Sequence, residues 1–322
     1  MNPSQEFSLK GRDDYTFVAY AWLPTSEKAL KSLKGIVQIS HGMAEHASRY
    51  GRFAEALIAA GYGVYANDHR GHGKTAFVEG IESKNNNDIG FFAEKDGWSH
   101  VVNDMHILNQ KIKADHPTLP VFLFAHSMGT FISQQYISEH GDELSGVMLS
   151  ASIADAGFLR KVGLMIAKLE RLRIGQRGQS KLLNAMSFGD FNKPFKPNRT
   201  EFDWITRDTA EVDKYIADPQ CGFIVSTQLW IDLLEGLGVL AQHSTRSSVP
   251  NDLPIMLISG SEDPVTQQGK TVDELKDAYV KAGNTDVSVK KYLGGRHESL
   301  NEINRDEVTA DLIAWMDNTF VK

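Results

Sequence analysis

Val121-Phe-Leu-Phe-Ala-His-Ser-Met-Gly-Thr130 reads as an apolar, strand-sized run that passes directly into a helix, with Ser127 at the junction. A Gly-x-Ser-x-Gly turn holds its serine on a tight bend with the hydroxyl raised above the sheet edge. Small residues flank such a serine because the bend presses their positions against neighbouring backbone. Ala125 fills the first small position and Gly129 the second. The string is weak by itself, and an ordinary helix N-cap serine is the bland alternative. Its place between a strand and a helix gives it weight.

The same alternation extends on both sides. Strands are predicted at Gly35–Ser40, Gly63–Asn67, Val121–Ala125, Gly146–Ser150, Ile255–Ser259 and Val287–Leu293. Helices are predicted at Arg52–Ala60, Trp98–Ala114, Met128–Ser138, Val272–Ala282 and Glu307–Phe320. Strands alternating with helices imply an α/β fold, a mostly parallel, doubly wound sheet covered on both faces. From about Ile153 to Ser248 the strand signal fades and helices with polar connectors take over. The expected organisation is therefore one core built from 1–152 and 249–322, with 153–248 inserted as a helical cap whose own core is thin.

The 322 residues carry a formal charge of -7 and a single cysteine, Cys221. One cysteine excludes a disulfide framework within the chain and a cysteine-based zinc or iron–sulfur site. The acidic balance argues against nonspecific nucleic-acid binding, which needs clustered cations. Met1–Tyr15 lacks a signal-peptide pattern and no apolar run is long enough to span a bilayer, so a cytoplasmic protein is expected. The Asn198-Arg-Thr200 sequon then has no role.

A serine hydroxyl becomes a nucleophile when a base takes its proton, and that base needs an acid to orient it. In this kind of sheet the order is serine, acid, histidine. Glu262 and Asp263 are rival acids in the loop after Ile255–Ser259, and His297 lies in the loop after the next strand. Both loops leave the carboxyl ends of strands, where open α/β sheets build their sites. Acyl transfer also needs preorganised amide donors for a developing oxyanion. Met128 offers one at a helix start; Gly42 lets the loop after Ser40 turn so that Met43 offers the other. Asp68-His-Arg-Gly-His-Gly-Lys-Thr75 ends like a phosphate-binding loop, but a carboxylate stands where that loop needs its first glycine. His41, His46, His69 and His72 lack a metal-ligand spacing, and structural hydrogen bonding is favoured for His41 and His46. No cofactor and no metal are expected.

His41-Gly-Met-Ala-Glu-His46 with Arg49-Tyr50, Asp68-His-Arg-Gly-His-Gly73, Ala125-His-Ser-Met-Gly129, Asp263 and His297-Glu298 together resemble the monoacylglycerol lipase and lysophospholipase branch of the α/β-hydrolases, within the serine aminopeptidase-like hydrolases. The resemblance runs from about residue 10 to 320 and is weakest in the cap. It implies the α/β-hydrolase fold, Ser127 as nucleophile, Asp263 and His297 as its partners, and the amides of Met43 and Met128 as the oxyanion hole. Ala44 stands where many members have glycine, and Ala125 replaces the first elbow glycine.

The activity implied is cleavage of a small-molecule acyl ester, a monoacylglycerol or lysophospholipid, through an acyl-enzyme. A short-chain carboxylesterase or thioesterase with the same triad is the alternative, and a non-catalytic binding protein on this scaffold is the least favoured. Gly157–Lys181 holds seven cations and one anion, a net +6 against -13 for the remainder. Phe158, Leu159, Val162, Met165, Ile166, Leu169 and Leu172 share one helical face there. This segment reads first as a lid with its cations over the serine, and second as a surface for transient contact with an anionic lipid membrane. Phe188, Phe191, Phe195, Trp204 and Trp230 are expected to divide between an acyl tunnel and the cap's own core.

Overall fold

The computed structural model describes residues 1–76, 88–154 and 157–319. In chain order it contains β1 (Gln5–Lys10), β2 (Thr16–Trp22), α1 (Glu27–Lys31), β3 (Gly35–Ser40), α2 (Gly51–Ala59), β4 (Tyr62–Asn67), α3 (Gly73–Ala76), α4 (Gly97–Asp115), β5 (Val121–His126), α5 (Met128–His140) and β6 (Gly146–Ser150). There follow α6 (Gly157–Ile174), α7 (Lys181–Phe188), α8 (Thr209–Ala217), α9 (Thr227–Leu240), α10 (His243–Ser247), β7 (Ile255–Gly260), α11 (Lys270–Ala282), β8 (Val287–Tyr292) and α12 (Arg305–Thr319).

One eight-stranded sheet runs in the order β1-β2-β4-β3-β5-β6-β7-β8. From β4 to β8 every neighbour is parallel; β1–β2 and β2–β4 are antiparallel. Successive residues of each central strand enter opposite cores, as the period of two requires. Ile36, Leu123 and Leu257 pack toward α4, α5 and α11, whereas Val37, Phe124 and Ile258 pack toward α2 and α12. Burial on both faces is what makes these strands continuous apolar runs in the sequence.

Neither strand of the antiparallel pair at the edge is predicted, although β2 is largely buried. β1 is exposed or half-buried along its length, so it carries no continuous apolar run. The predicted terminus of the last helix, Phe320, lies outside the described residues; α12 ends at Thr319.

Between β6 and β7 the chain builds α6 to α10. Here α9 is the anchor: Leu229, Ile231, Leu233, Leu237 and Leu240 join the same core as α4 and α5. The remaining cluster of the insertion is small, with Trp204, Ile205, Val212 and Tyr215 buried together. Among the described residues, no helix is long and apolar enough to cross a membrane.

Candidate active site

The turn after β5 is built by packing. Ser127 adopts φ 49° and ψ -121°, a left-handed conformation that costs a non-glycine residue energy. Its own N–H donates to the Ser150 carbonyl at 2.9 Å, which ties the bend to the end of β6. A Cβ at Gly129 would lie 2.3 Å from the Ser40 carbonyl oxygen and 2.5 Å from that of His41, so only glycine fits there. Ala125, fully buried, is accommodated at the other small position.

Asp263 and His297 arrive from two neighbouring strand ends. A Cβ at Gly260 would collide with the Gly295 backbone at about 2.1 Å, so its absence lets the histidine loop cross the end of β7. Asp263 is fully buried, and its Oδ1 accepts the Val265 N–H at 2.9 Å. His297 Nδ1 lies 3.1 and 3.2 Å from the two Asp263 carboxylate oxygens, and His297 Nε2 lies 3.0 Å from Ser127 Oγ. The rival acid, Glu262, is exposed. Burial pulls the His297 pKa down, but the Asp263 charge and hydrogen bond, with Glu298 and Glu45 nearby, more than reverse this, and the net shift is upward. His126, whose ring stands 4.7 Å from that of His297, is held down at about 4 by burial and by the neighbouring imidazole.

Met43 lies on the loop after β3 and lines the cavity beside Ser127. Met128 opens α5, where no preceding turn exists to accept its N–H. Gly42 between β3 and Met43 donates its N–H to Glu45 Oε1 at 2.6 Å, which fixes the loop. Glu45 also receives Tyr50 O–H at 3.0 Å and Arg49 at 2.6 Å. Arg49 then grips both oxygens of Glu298 at 2.8 Å, next to His297. This buried Glu45–Arg49–Glu298 bridge joins the loop of Met43 to the loop of His297 across 249 positions. Apart from the family resemblance, nothing in the sequence connects its ends.

His41, His69 and His72 are spent on structure. His41 Nδ1–H donates to the Gly42 carbonyl at 2.8 Å while its Nε2 accepts the His69 amide at 3.0 Å. His69 pairs with Ser40, and His72 with the Arg70 carbonyl. Asp68 accepts from Tyr20 O–H and the amides of Ala47 and Lys74 at 2.6–2.8 Å, so its carboxylate organises the loop from within.

Above the serine lies a cavity of about 620 Å³, the size of a small-molecule pocket. Ala185, Phe188, Phe202, Trp204, Phe223 and Ile224 supply its apolar wall, and Asn184, Asn192 and Thr200 its polar contacts. Of the five aromatics singled out in the sequence, Phe188 and Trp204 face this space, whereas Phe191, Phe195 and Trp230 pack elsewhere. Phe202 and Phe223 were legible only once the chain was folded.

The basic segment does not lie over the serine as expected. No residue of α6 lines the cavity; α7, which starts at Lys181, and the stretch to Ile205 cover it instead. α6 lies on α9 through its small side, with Ala167 fully buried and Gly163 facing Leu234. Small residues allow close helix approach, and this turns the large apolar face outward. Leu159 and Leu172 are about 80% exposed. The cations are largely engaged as well: Lys168 with Glu235, Arg173 with Glu170, Arg177 with Asp88 and Arg171 with Gln228.

The family model described as serine aminopeptidase, S33 (Hydrolase_4) matches residues 31–304. The chain is 28% identical to a monoacylglycerol lipase of Mycolicibacterium smegmatis, over 97% of this chain and 96% of the relative. It is 29% identical to a monoglyceride lipase of Rattus norvegicus, over 95% of this chain and 86% of the relative. A thermostable carboxyl esterase from Bacillus coagulans, solved with glycerol, superposes with a TM-score of 0.85 at 29% identity, covering 99% of both chains.

Proposed function

From the premise that this chain belongs to the serine aminopeptidase S33 (Hydrolase_4) family and has the α/β-hydrolase fold, we propose that it is a serine hydrolase that cleaves monoacylglycerols through an acyl-enzyme. The observation that carries this reading is the line from Ser127 Oγ through His297 to buried Asp263 beneath an aromatic-walled cavity.

In the tautomer that Asp263 favours, His297 Nδ1–H donates to the carboxylate and Nε2 accepts the Ser127 proton. Ser127 Oγ attacks the ester carbonyl, and the oxyanion takes hydrogen bonds from the Met43 and Met128 amides. His297 returns its proton to the departing glycerol oxygen. It then deprotonates a water that attacks the acyl carbonyl, releasing the fatty acid and restoring Ser127. Residues 153–248 act as a cap over the core of 1–152 and 249–322, and the apolar wall holds the acyl chain. The outward apolar ridge of α6 makes transient contact with a lipid surface, which brings the cavity to its substrate.

Ser127→Ala is expected to reduce hydrolysis by roughly 10⁴-fold or more while leaving the circular dichroism spectrum unchanged. Retention of activity within about tenfold excludes this mechanism. A carboxylesterase preferring short esters is the second reading, favoured by the close overlap with the carboxyl esterase. A series of p-nitrophenyl esters separates the two: a steep fall with chain length supports the second reading against the first.

A further inference from the structure

The fold brings three metal-binding side chains together beside the Met43 loop. His46 Nε2 lies 2.9 Å from Asp218 Oδ2, in the turn that follows α8. Cys221, the chain's single cysteine, is a free, half-buried thiol in that same turn. All three donor atoms lie within 4.8 Å of one another. Arg49, the nearby cation, is already matched by Glu45 and Glu298.

We propose that His46, Asp218 and Cys221 form a binding site for a thiophilic divalent cation of the zinc class, and that an ion bound there slows turnover. A single thiol cannot make a cysteine cage, which is why the sequence argues against such a site. Imidazole, carboxylate and thiolate together are a sufficient donor set, with water in the fourth position. Tetrahedral zinc with bonds of about 2.0 Å to nitrogen and oxygen and about 2.3 Å to sulfur sets its donors roughly 3.3–3.5 Å apart. His46 and Asp218 therefore part by a few tenths of an ångström while the sulfur closes by up to about 1.3 Å. Burial pushes the Cys221 thiol up against the pull of Arg49, with Asp218 adding to the rise. On binding, the S–H proton leaves to solvent and the sulfur lone pair goes to the metal.

The link to turnover, which rests on the hydrolase reading above, is the carbonyl of Ala44. It accepts the Gly222 N–H at 2.9 Å and the Tyr215 O–H at 3.0 Å. Gly222 follows Cys221, and Ala44 follows Met43. Drawing the sulfur toward His46 shifts the turn on which Ala44 rests, and with it the Met43 amide. Displacements of this size at a catalytic donor cost rate.

A second cluster, His106, His140 and Glu143, is not a comparable site. Its imidazole rings stack 3.7 Å apart at 11°, so their in-plane lone pairs run side by side and do not converge.

Titrating the full chain with Co²⁺ tests the site without relying on activity. The expected result is saturation at one ion per chain with a near-ultraviolet thiolate-to-cobalt charge-transfer band. Cys221→Ser should lose that band and bind more than about tenfold more weakly, with its basal ester hydrolysis unchanged; Asp218→Asn should weaken binding with the band retained. Zinc should lower wild-type turnover by roughly tenfold, reversibly with chelator, and spare Cys221→Ser. Absence of the band, or equal cobalt affinity in Cys221→Ser, overturns the site. A full band with undiminished hydrolysis overturns the coupling alone. A protein without hydrolase activity leaves the cobalt result decisive for the site and refutes the function instead.

Discussion

In the proposed mechanism His297 accepts a proton only when its Nε2 is unprotonated, so its titration is expected to set the acid limb of activity. The net upward shift extends the protonated form to higher pH, and the limb's midpoint is expected above 6.5. His126, at about 4, stays neutral through this range and does not contribute. Asp263→Asn removes the main cause of the upward shift and leaves the ring free to flip. It is expected to lower kcat by about 10⁴-fold and move the residual limb to lower pH. A pH–rate profile for both proteins checks this; an unmoved limb means another group controls it. Ser127 was legible because it sits where an apolar strand meets a helix, and His297 because it sits in the loop after a predicted strand; the residue pattern left Asp263 and Glu262 as rivals, and the family resemblance pointed to Asp263. The Arg49 bridge was not legible, because its acidic partners come from loops far apart in the chain.

At the scale of elements, the Met43 loop shows how local cost is offset by tertiary contacts. Ala44 sits at φ 53°, a left-handed conformation that a Cβ disfavours. It is held there by its carbonyl's two hydrogen bonds to the insertion and by Glu45, which is locked to Gly42, Tyr50 and Arg49. Ala44→Gly relieves the Cβ strain and gives back part of that gain as unfolded-chain entropy. The expected outcome is a stabilisation of up to about 1 kcal/mol in urea unfolding, with the site geometry retained. A loss of stability would mean that the buried Ala44 methyl group contributes more than its conformation costs. The same contrast explains which elements could be read in advance. Central parallel strands such as β5 are buried on both faces and advertise themselves as apolar runs, while edge strand β1 does not.

For the whole molecule, the insertion is fastened at two places. α9 is sunk into the core, and residues 203–207 are bound to the histidine loop: Glu298 N–H donates to the Ile205 carbonyl at 2.7 Å, and Arg207 pairs with Glu302 at 2.7 Å. The apolar ridge of α6 faces outward. Replacing both Leu169 and Leu172 by Glu is expected to weaken sedimentation with phosphatidylglycerol vesicles several-fold, leaving hydrolysis of a soluble p-nitrophenyl ester unaltered. Because most α6 cations have internal partners, raising salt should weaken vesicle binding less than the double substitution does. Unchanged sedimentation of the double variant removes the ridge as a lipid contact. The sequence by itself determined the alternation of strands and helices and the serine at the bend, since these follow from local periodicity and turn chemistry, and it placed the candidate partners in two later loops, with the choice of Asp263 over Glu262 implied by the family resemblance. It also determined that α6 has a broad apolar face. Only the tertiary structure decided which way that face points, because Gly163 and Ala167 allow a closer approach to α9 than the large side chains do. Likewise, only folding could set Arg49 between two distant glutamates and Cys221 beside His46.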